Sequence, residues 1–164
     1  MSRMNPRGAV LVALTIFTTT AQDKQTASSQ PTVVFVCEHG AAKSVVAAAW
    51  FDKLATERHL PFQAIARGTT PQEDFAQSAV AGLKRDGVAF PWNDKPKALT
   101  AREASTAARV VAFCPLPAHL KPAGAEIFDV PGPGDGYDQS RDAILAHVRE
   151  VLDGLQKKPP PPRP

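Results

Sequence analysis

Apolar runs and stretches with helical spacing alternate along the middle of the chain. Four short runs rich in β-branched or aromatic residues predict buried strands, at residues 32–36, 62–67, 108–114 and 125–130. Apolar positions recur at helical spacing in the segments that follow them, at residues 44–58, 74–87, 100–107 and 138–155. Strands that alternate with helices predict a parallel sheet. We therefore expect an α/β fold of three layers, a doubly wound, four-stranded parallel sheet with helices on both faces.

The first strand and the first helix are joined by a short loop, "CEHGAAKS", at residues 37–44. Ligands of open parallel sheets bind at the carboxyl ends of the strands, where Cys37 falls. A helix N-terminus and inward-pointing loop amides favour a thiolate there, and the same amides bind a tetrahedral oxyanion. Gly40 permits unusual backbone angles, Lys43 adds a cation, and Ser44 either caps the helix or hydrogen-bonds the thiolate. These are the parts of an activated nucleophile for an anionic substrate.

The arrangement of strand, Cys37, five residues, a basic residue, Ser44 and helix resembles the low-molecular-weight protein tyrosine phosphatases and their thioredoxin-coupled arsenate reductase relatives. The resemblance extends over residues 32–155, through "ARGTTP", "KPKALT", "VVAFCP" and "IFDVPGP". It implies phosphoryl transfer through a cysteinyl-phosphate on Cys37, with Ser44 stabilising the thiolate. It also implies that phosphate is bound by the loop residues Glu38, His39, Gly40, Ala41, Ala42 and Lys43.

Two positions depart from the family pattern. Lys43 stands where the family has arginine, so the planar fork that grips two oxygens is lost while the charge remains. Gly132 and Pro133 stand where the family has its aspartate–proline pair, so the expected general acid is missing. Asp135, three residues after Gly132, is our candidate for that acid, and Asp129 is a second one. The alternative is that Asp135 is a turn residue and Asp129 a strand-end acid.

Two ionisable side chains follow Cys37 directly. The carboxylate of Glu38 would disfavour the thiolate and repel phosphate unless it points outward. His39 offsets that charge when protonated, or is an exposed loop residue. The other histidines show no metal-ligand spacing with the cysteines, so neither a metal site nor a cofactor is expected; they are His59, His119 and His147.

The second of the two cysteines, Cys114, occupies the place of the cysteine that attacks the first one in the arsenate reductases. No third cysteine follows in "CPLPAHLKPAG" to complete a thiol relay. Three interpretations of Cys114 stay open: a structural disulfide with Cys37 in an oxidising compartment, a redox pair with Cys37 in a reductase that needs a reductant partner, or a buried strand-end thiol. We favour a hydrolase of phosphate monoesters; the alternatives are an arsenate reductase-like oxidoreductase and a non-catalytic binder of oxyanions or phosphoproteins.

The two ends of the chain predict export and a tail. Residues 1–21 contain basic residues, then an apolar stretch, then small residues, an order typical of a cleaved signal peptide. The apolar stretch is too short to span a bilayer. We expect a periplasmic or extracellular protein with a polar linker at 22–31, the phosphatase-like domain at 32–157 and a proline-rich disordered tail at 158–164. The net charge of +3 is scattered, with no basic stripe, which argues against a nucleic-acid partner. The oligomeric state stays open.

Overall fold

The structure, a computed structural model, describes residues 30–90, 94–132, 134 and 136–157. The predicted signal peptide, most of the linker, the proline-rich tail and Asp135 lie outside the described residues, so the predictions about them stay predictions. No helix in these ranges is long and apolar enough to cross a membrane.

The described part of the chain contains four strands and four α-helices. They are β1 (Thr32–Cys37), α1 (Lys43–Glu57), β2 (Gln63–Gly68), α2 (Gln77–Arg85), α3 (Ala101–Thr106), β3 (Arg109–Ala112), β4 (Glu126–Ile127) and α4 (Tyr137–Lys157). A short 3-10 helix, Ala118–Leu120, lies between β3 and β4. The strands form one sheet in the order β2-β1-β3-β4, and every pairing is parallel. The predicted α/β fold is confirmed.

The first strand is central because both of its faces are apolar. Phe35 points into the larger core, where its ring lies 5.6 Å from that of Phe51 in α1 and 6.3 Å from that of Phe113. Val34 and Val36 point to the opposite face, which is covered by apolar side chains of the α3 and 3-10 segments. Helices therefore lie on both faces of the sheet. Cys37 is the last residue of β1, one of the two inner strands.

The two strands on one side of the sheet are shorter than predicted. The third spans residues 109–112 rather than 108–114, and the fourth has two residues rather than the six at 125–130. Prolines at 115 and 117 follow the third strand and have no amide to donate, so the ladder with the edge strand cannot continue there. Cys114 consequently lies in the loop beyond β3 rather than within the strand.

Candidate active site

The loop after β1 directs carbonyl groups towards the connection between β2 and α2. Four of these carbonyls accept hydrogen bonds of 2.8–3.2 Å from backbone amides of the β2–α2 connection, in the pairs Cys37–Thr69, Glu38–Thr70, His39–Gln72 and Ala41–Ala76. Within the described part of the chain, the amides of residues 38–43 donate to no protein acceptor. Free amides beside a helix N-terminus are the groups that an anion-binding cradle requires, so the arrangement is compatible with the predicted oxyanion site.

The shape of the cradle depends on two glycines that touch. Gly40 has a φ of 63°, and a Cβ built on it would lie 2.8 Å from the amide nitrogen of Gly68. A Cβ built on Gly68, the last residue of β2, would lie 2.8 Å from the amide nitrogen of Gly40. Real Cβ atoms do not approach backbone that closely, so the loop can rest on β2 only because both positions lack a side chain.

The thiol of Cys37 has one side-chain partner, Ser44. The two atoms, Sγ and Oγ, lie 3.1 Å apart, and both residues are buried. The N-cap of α1 is Ala42, and no side chain caps that helix. Of the two roles predicted for Ser44, the structure therefore shows contact with the sulfur and not capping. Either atom can be the donor in this contact, so the hydroxyl of Ser44 is placed to hydrogen-bond the sulfur.

Lys43 connects the cradle to the segment that follows β4. Its Nζ donates to the carbonyl oxygen of Val130 at 2.6 Å, and the side chain is half-buried at the wall of the pocket. An ammonium group has three protons, so two remain for an anion. Lys43 is the first residue of α1, whose first turn has no acidic residue. A cation at a helix N-terminus is unfavourable by itself, and a bound anion would offset that cost.

The cradle opens into a pocket of about 350 Å³. Its walls bring together most of the predicted site residues, namely Cys37, Glu38, His39, Ala41, Ala42, Lys43 and Cys114. Glu38 and His39 are exposed at its rim. Among the other lining residues, the sequence did not single out Gln72, Ser78 or Phe113. Two of these follow strands β2 and β3 closely, so the rule that ligands bind at strand carboxyl ends could have found them.

Cys114 faces the same pocket as Cys37, and both thiols are free. Burial raises the pKa of the Cys114 thiol above its ordinary value, and the negative charge of Cys37 raises it further, while a hydrogen bond with Thr69 acts in the opposite direction. The two cysteines of the redox alternative therefore line one pocket.

Of the two predicted general acids, the structure describes only Asp129. Asp129 is exposed and is not among the residues that line it. Asp135 lies outside the described residues, although its neighbour Gly134 lines the pocket. Gly132, which stands where the related family has its acid, also lines the pocket and offers no proton. The described residues contain no group of three histidine, cysteine or acidic side chains that could hold a metal ion.

Similarity to known proteins is detected in the structure and not in the sequence. No family model matches the chain, and no curated protein sequence matches it significantly. Among solved structures, YfkJ from Bacillus subtilis is 18% identical with a TM-score of 0.70, over 80% of this chain and 98% of YfkJ. A low-molecular-weight phosphotyrosine phosphatase from Vibrio cholerae is 16% identical with a TM-score of 0.67, over 79% and 99% of the two chains.

A thioredoxin-dependent arsenate reductase from Corynebacterium glutamicum is 22% identical with a TM-score of 0.62, over 79% of this chain and 64% of that one. The chain therefore has the fold that low-molecular-weight protein tyrosine phosphatases share with thioredoxin-dependent arsenate reductases. The resemblance predicted from residues 32–155 is confirmed at the level of the fold.

Proposed function

We propose that the protein is a phosphatase-like hydrolase of phosphate monoesters that forms a cysteinyl-phosphate on Cys37. The observation that carries this proposal is the contact of 3.1 Å between Cys37 Sγ and Ser44 Oγ beneath a cradle of free amides. The fold shared with phosphatases supports it. A cysteine that only packs in the core would not require free backbone amides beside its thiol.

The first half of the reaction transfers the phosphoryl group to sulfur. The thiolate of Cys37 attacks phosphorus, the bond from phosphorus to the leaving oxygen breaks, and that oxygen takes up a proton. The amides of residues 38–43 and the ammonium of Lys43 hold the equatorial oxygens, where negative charge is spread in the transition state. In the second half, water attacks the phosphorus, the sulfur–phosphorus bond breaks, and Ser44 stabilises the departing thiolate.

Hydrolysis of an activated aryl phosphate by the full chain under reducing conditions tests the proposal. We expect slow turnover by the native protein and a loss of at least about 10³-fold in Cys37→Ser, since the nucleophile is removed. A second substitution, Cys114→Ser, removes the other thiol of the pocket, and the hydrolase still turns over. Retention of activity in Cys37→Ser would reject the cysteinyl-phosphate.

A second candidate function, arsenate reduction, is favoured by the two free thiols that line one pocket. The thiolate of Cys37 would displace water from arsenate, and the thiol of Cys114 would then attack the sulfur of Cys37. Arsenite leaves with two electrons, a Cys37–Cys114 disulfide forms, and an external dithiol reduces it. This candidate predicts that a thiol reductant is consumed in proportion to the arsenate added. It also predicts that Cys114→Ser stops this consumption. Calorimetric binding of arsenate or phosphate by reduced protein without turnover would instead indicate a non-catalytic binder.

A further inference from the structure

The described residues leave the proton donor for the leaving oxygen unassigned. Gly132 stands in place of the expected aspartate, Asp129 does not line the pocket, and the predicted acid Asp135 lies outside the described residues. Proton transfer by a positioned side chain commonly contributes 10²- to 10⁴-fold to a rate. A side chain that fills this role must be able to donate a proton and must be held in place beside the pocket.

The imidazole of His39 meets both conditions. Its Nδ1 lies 3.3 Å from the carbonyl oxygen of Thr70. A carbonyl oxygen only accepts, so Nδ1 carries the proton in this contact, and Nε2 is the nitrogen left free to exchange one. The backbone is held as well, since the carbonyl of His39 accepts from the amide of Gln72 at 3.2 Å and that of Glu38 accepts from Thr70 at 2.8 Å.

The position of His39 also matches the direction in which a leaving group departs. Cys37 is 6% exposed and lies at the inner end of the pocket, while His39 is exposed at the rim. Phosphoryl transfer places the attacking and leaving atoms on opposite sides of phosphorus. Because Cys37 is buried, a phosphorus atom that it attacks releases its leaving oxygen towards the exposed side of the pocket, to which His39 belongs.

We propose that Nε2 of His39 is the general acid and base of the proposed hydrolase, a role that rests on that function. In the first half, imidazolium gives its Nε2 proton to the leaving oxygen as the bond from phosphorus to oxygen breaks. In the second half, the neutral imidazole takes a proton from the attacking water as the sulfur–phosphorus bond breaks. The imidazolium and the thiolate of Cys37 are thereby restored, and one water is consumed for each ester.

The test is the dependence of the rate on the leaving group. A series of aryl phosphates is assayed, from phenyl phosphate to a dinitrophenyl ester whose phenolate needs no proton. His39→Gln keeps an amide donor for the carbonyl of Thr70 but has no transferable proton. We expect about a 10²-fold loss of kcat/KM with phenyl phosphate and less than about a 3-fold loss with the dinitrophenyl ester. The matched control is His119→Gln, since His119 is exposed on the 3-10 helix and does not line the pocket.

The pH profile gives a second readout. With phenyl phosphate, kcat/KM of the native protein falls at high pH as imidazolium is lost, and this limb is absent in His39→Gln. The other titratable groups on the described pocket wall are Cys37, Glu38, Lys43 and Cys114, and they stay unchanged in the variant. The limb that differs between the two proteins therefore belongs to His39.

The outcomes separate the two proposals. Equal losses with every ester, or no loss with phenyl phosphate, would overturn the role of His39 and leave the hydrolase standing. If the native protein hydrolyses none of the esters, the proposed function fails and the proton transfer fails with it. Full activity of the variant with the dinitrophenyl ester also shows that it has folded.

Discussion

Nζ of Lys43 donates to the carbonyl oxygen of Val130 at 2.6 Å, so one side chain joins the start of α1 to the segment after β4. Lysine is a point charge without the planar fork of arginine, and one of its three protons is used by this contact. A lysine at position 43 therefore has two effects. It keeps a cation at the cradle, and it commits one proton of that cation to the backbone of the segment that follows β4.

We predict that Lys43→Met weakens inhibition by inorganic phosphate and lowers kcat/KM for aryl phosphates by about 10- to 100-fold. The physical reason is the loss of a charge-assisted hydrogen bond, worth about 1.5–3 kcal/mol. Lys43→Arg, the matched variant, keeps the charge and should retain phosphate inhibition within about 3-fold. Equal phosphate inhibition constants for the native protein and Lys43→Met would show that the lysine serves the Val130 contact alone.

The contact between the two glycines predicts the effect of one methyl group. Gly68→Ala places a Cβ 2.8 Å from the amide nitrogen of Gly40, and backbone on both sides cannot yield cheaply. We expect a loss of about 1–3 kcal/mol in the free energy of unfolding together with a loss of phosphate binding. Chemical denaturation and calorimetry measure the two quantities.

The control for Gly68→Ala is Gly154→Ala, in α4. Its added Cβ meets nothing nearer than 3.6 Å, and alanine is the better helix former by about 1 kcal/mol. This variant should be stabilised and bind phosphate normally. A Gly68→Ala protein as stable and as active as the native one would mean that the loop is not held against β2.

The raised pKa of Cys114 predicts slow alkylation. Less of this thiol is ionised at neutral pH than of a free cysteine, so iodoacetamide should modify it slowly at pH 7 and faster as the pH rises. Removing the charge of the other sulfur in Cys37→Ser should lower the pKa of Cys114 and accelerate its alkylation, although burial remains. Peptide mass spectrometry follows the reaction at Cys114. An unchanged rate in that variant would mean that the two sulfurs do not interact.

Asp52 in α1 predicts a pH dependence of stability. Burial raises its pKa from 3.8 to about 6, and a hydrogen bond of 2.6 Å from the amide of Ala64 only partly opposes this. The native state thus holds the proton more tightly than the unfolded state does. The free energy of unfolding should therefore fall as the pH rises from about 4 to about 6, and stay at the lower level above that window.

In Asp52→Asn this decrease should disappear. Because the carboxylate is exposed on one side, solvent screening limits the difference to about 1 kcal/mol. Denaturant titrations at several pH values measure it, with Asp153→Asn as the control for removal of an exposed carboxylate. A native protein whose stability is constant between pH 4 and 6 would contradict the raised pKa.

The sequence predicted the parts of this protein whose pattern is local. The apolar run of β1 and the spacing of α1 place Cys37 and Ser44 at a strand–helix junction, and the glycine at 40 marks the turn. It could not predict that Gly40 rests on Gly68, because that contact joins residues 28 positions apart in the chain. It also overestimated β4, since the length of an edge strand depends on the neighbour it pairs with.

The hydrogen-bond partners of individual side chains could not be predicted from the sequence either. Ser44 could have capped α1 or bonded the sulfur, and only the three-dimensional position of Cys37 decides between the two. The imidazole of His39 was predicted as exposed or as a counter-charge, but its contact with Thr70 depends on the packing of two loops. Long-range contacts of this kind leave no periodicity in the sequence.

The most direct test of the account is to look for the phosphorylated enzyme. Reduced native protein is mixed with an activated aryl phosphate, quenched in acid within the first turnover, digested and analysed by mass spectrometry. We expect one phosphoryl group on the peptide that contains Cys37, in an amount equal to the first burst of released phenol. Turnover with no phosphoryl group on Cys37, or with the group on another residue, would contradict the account.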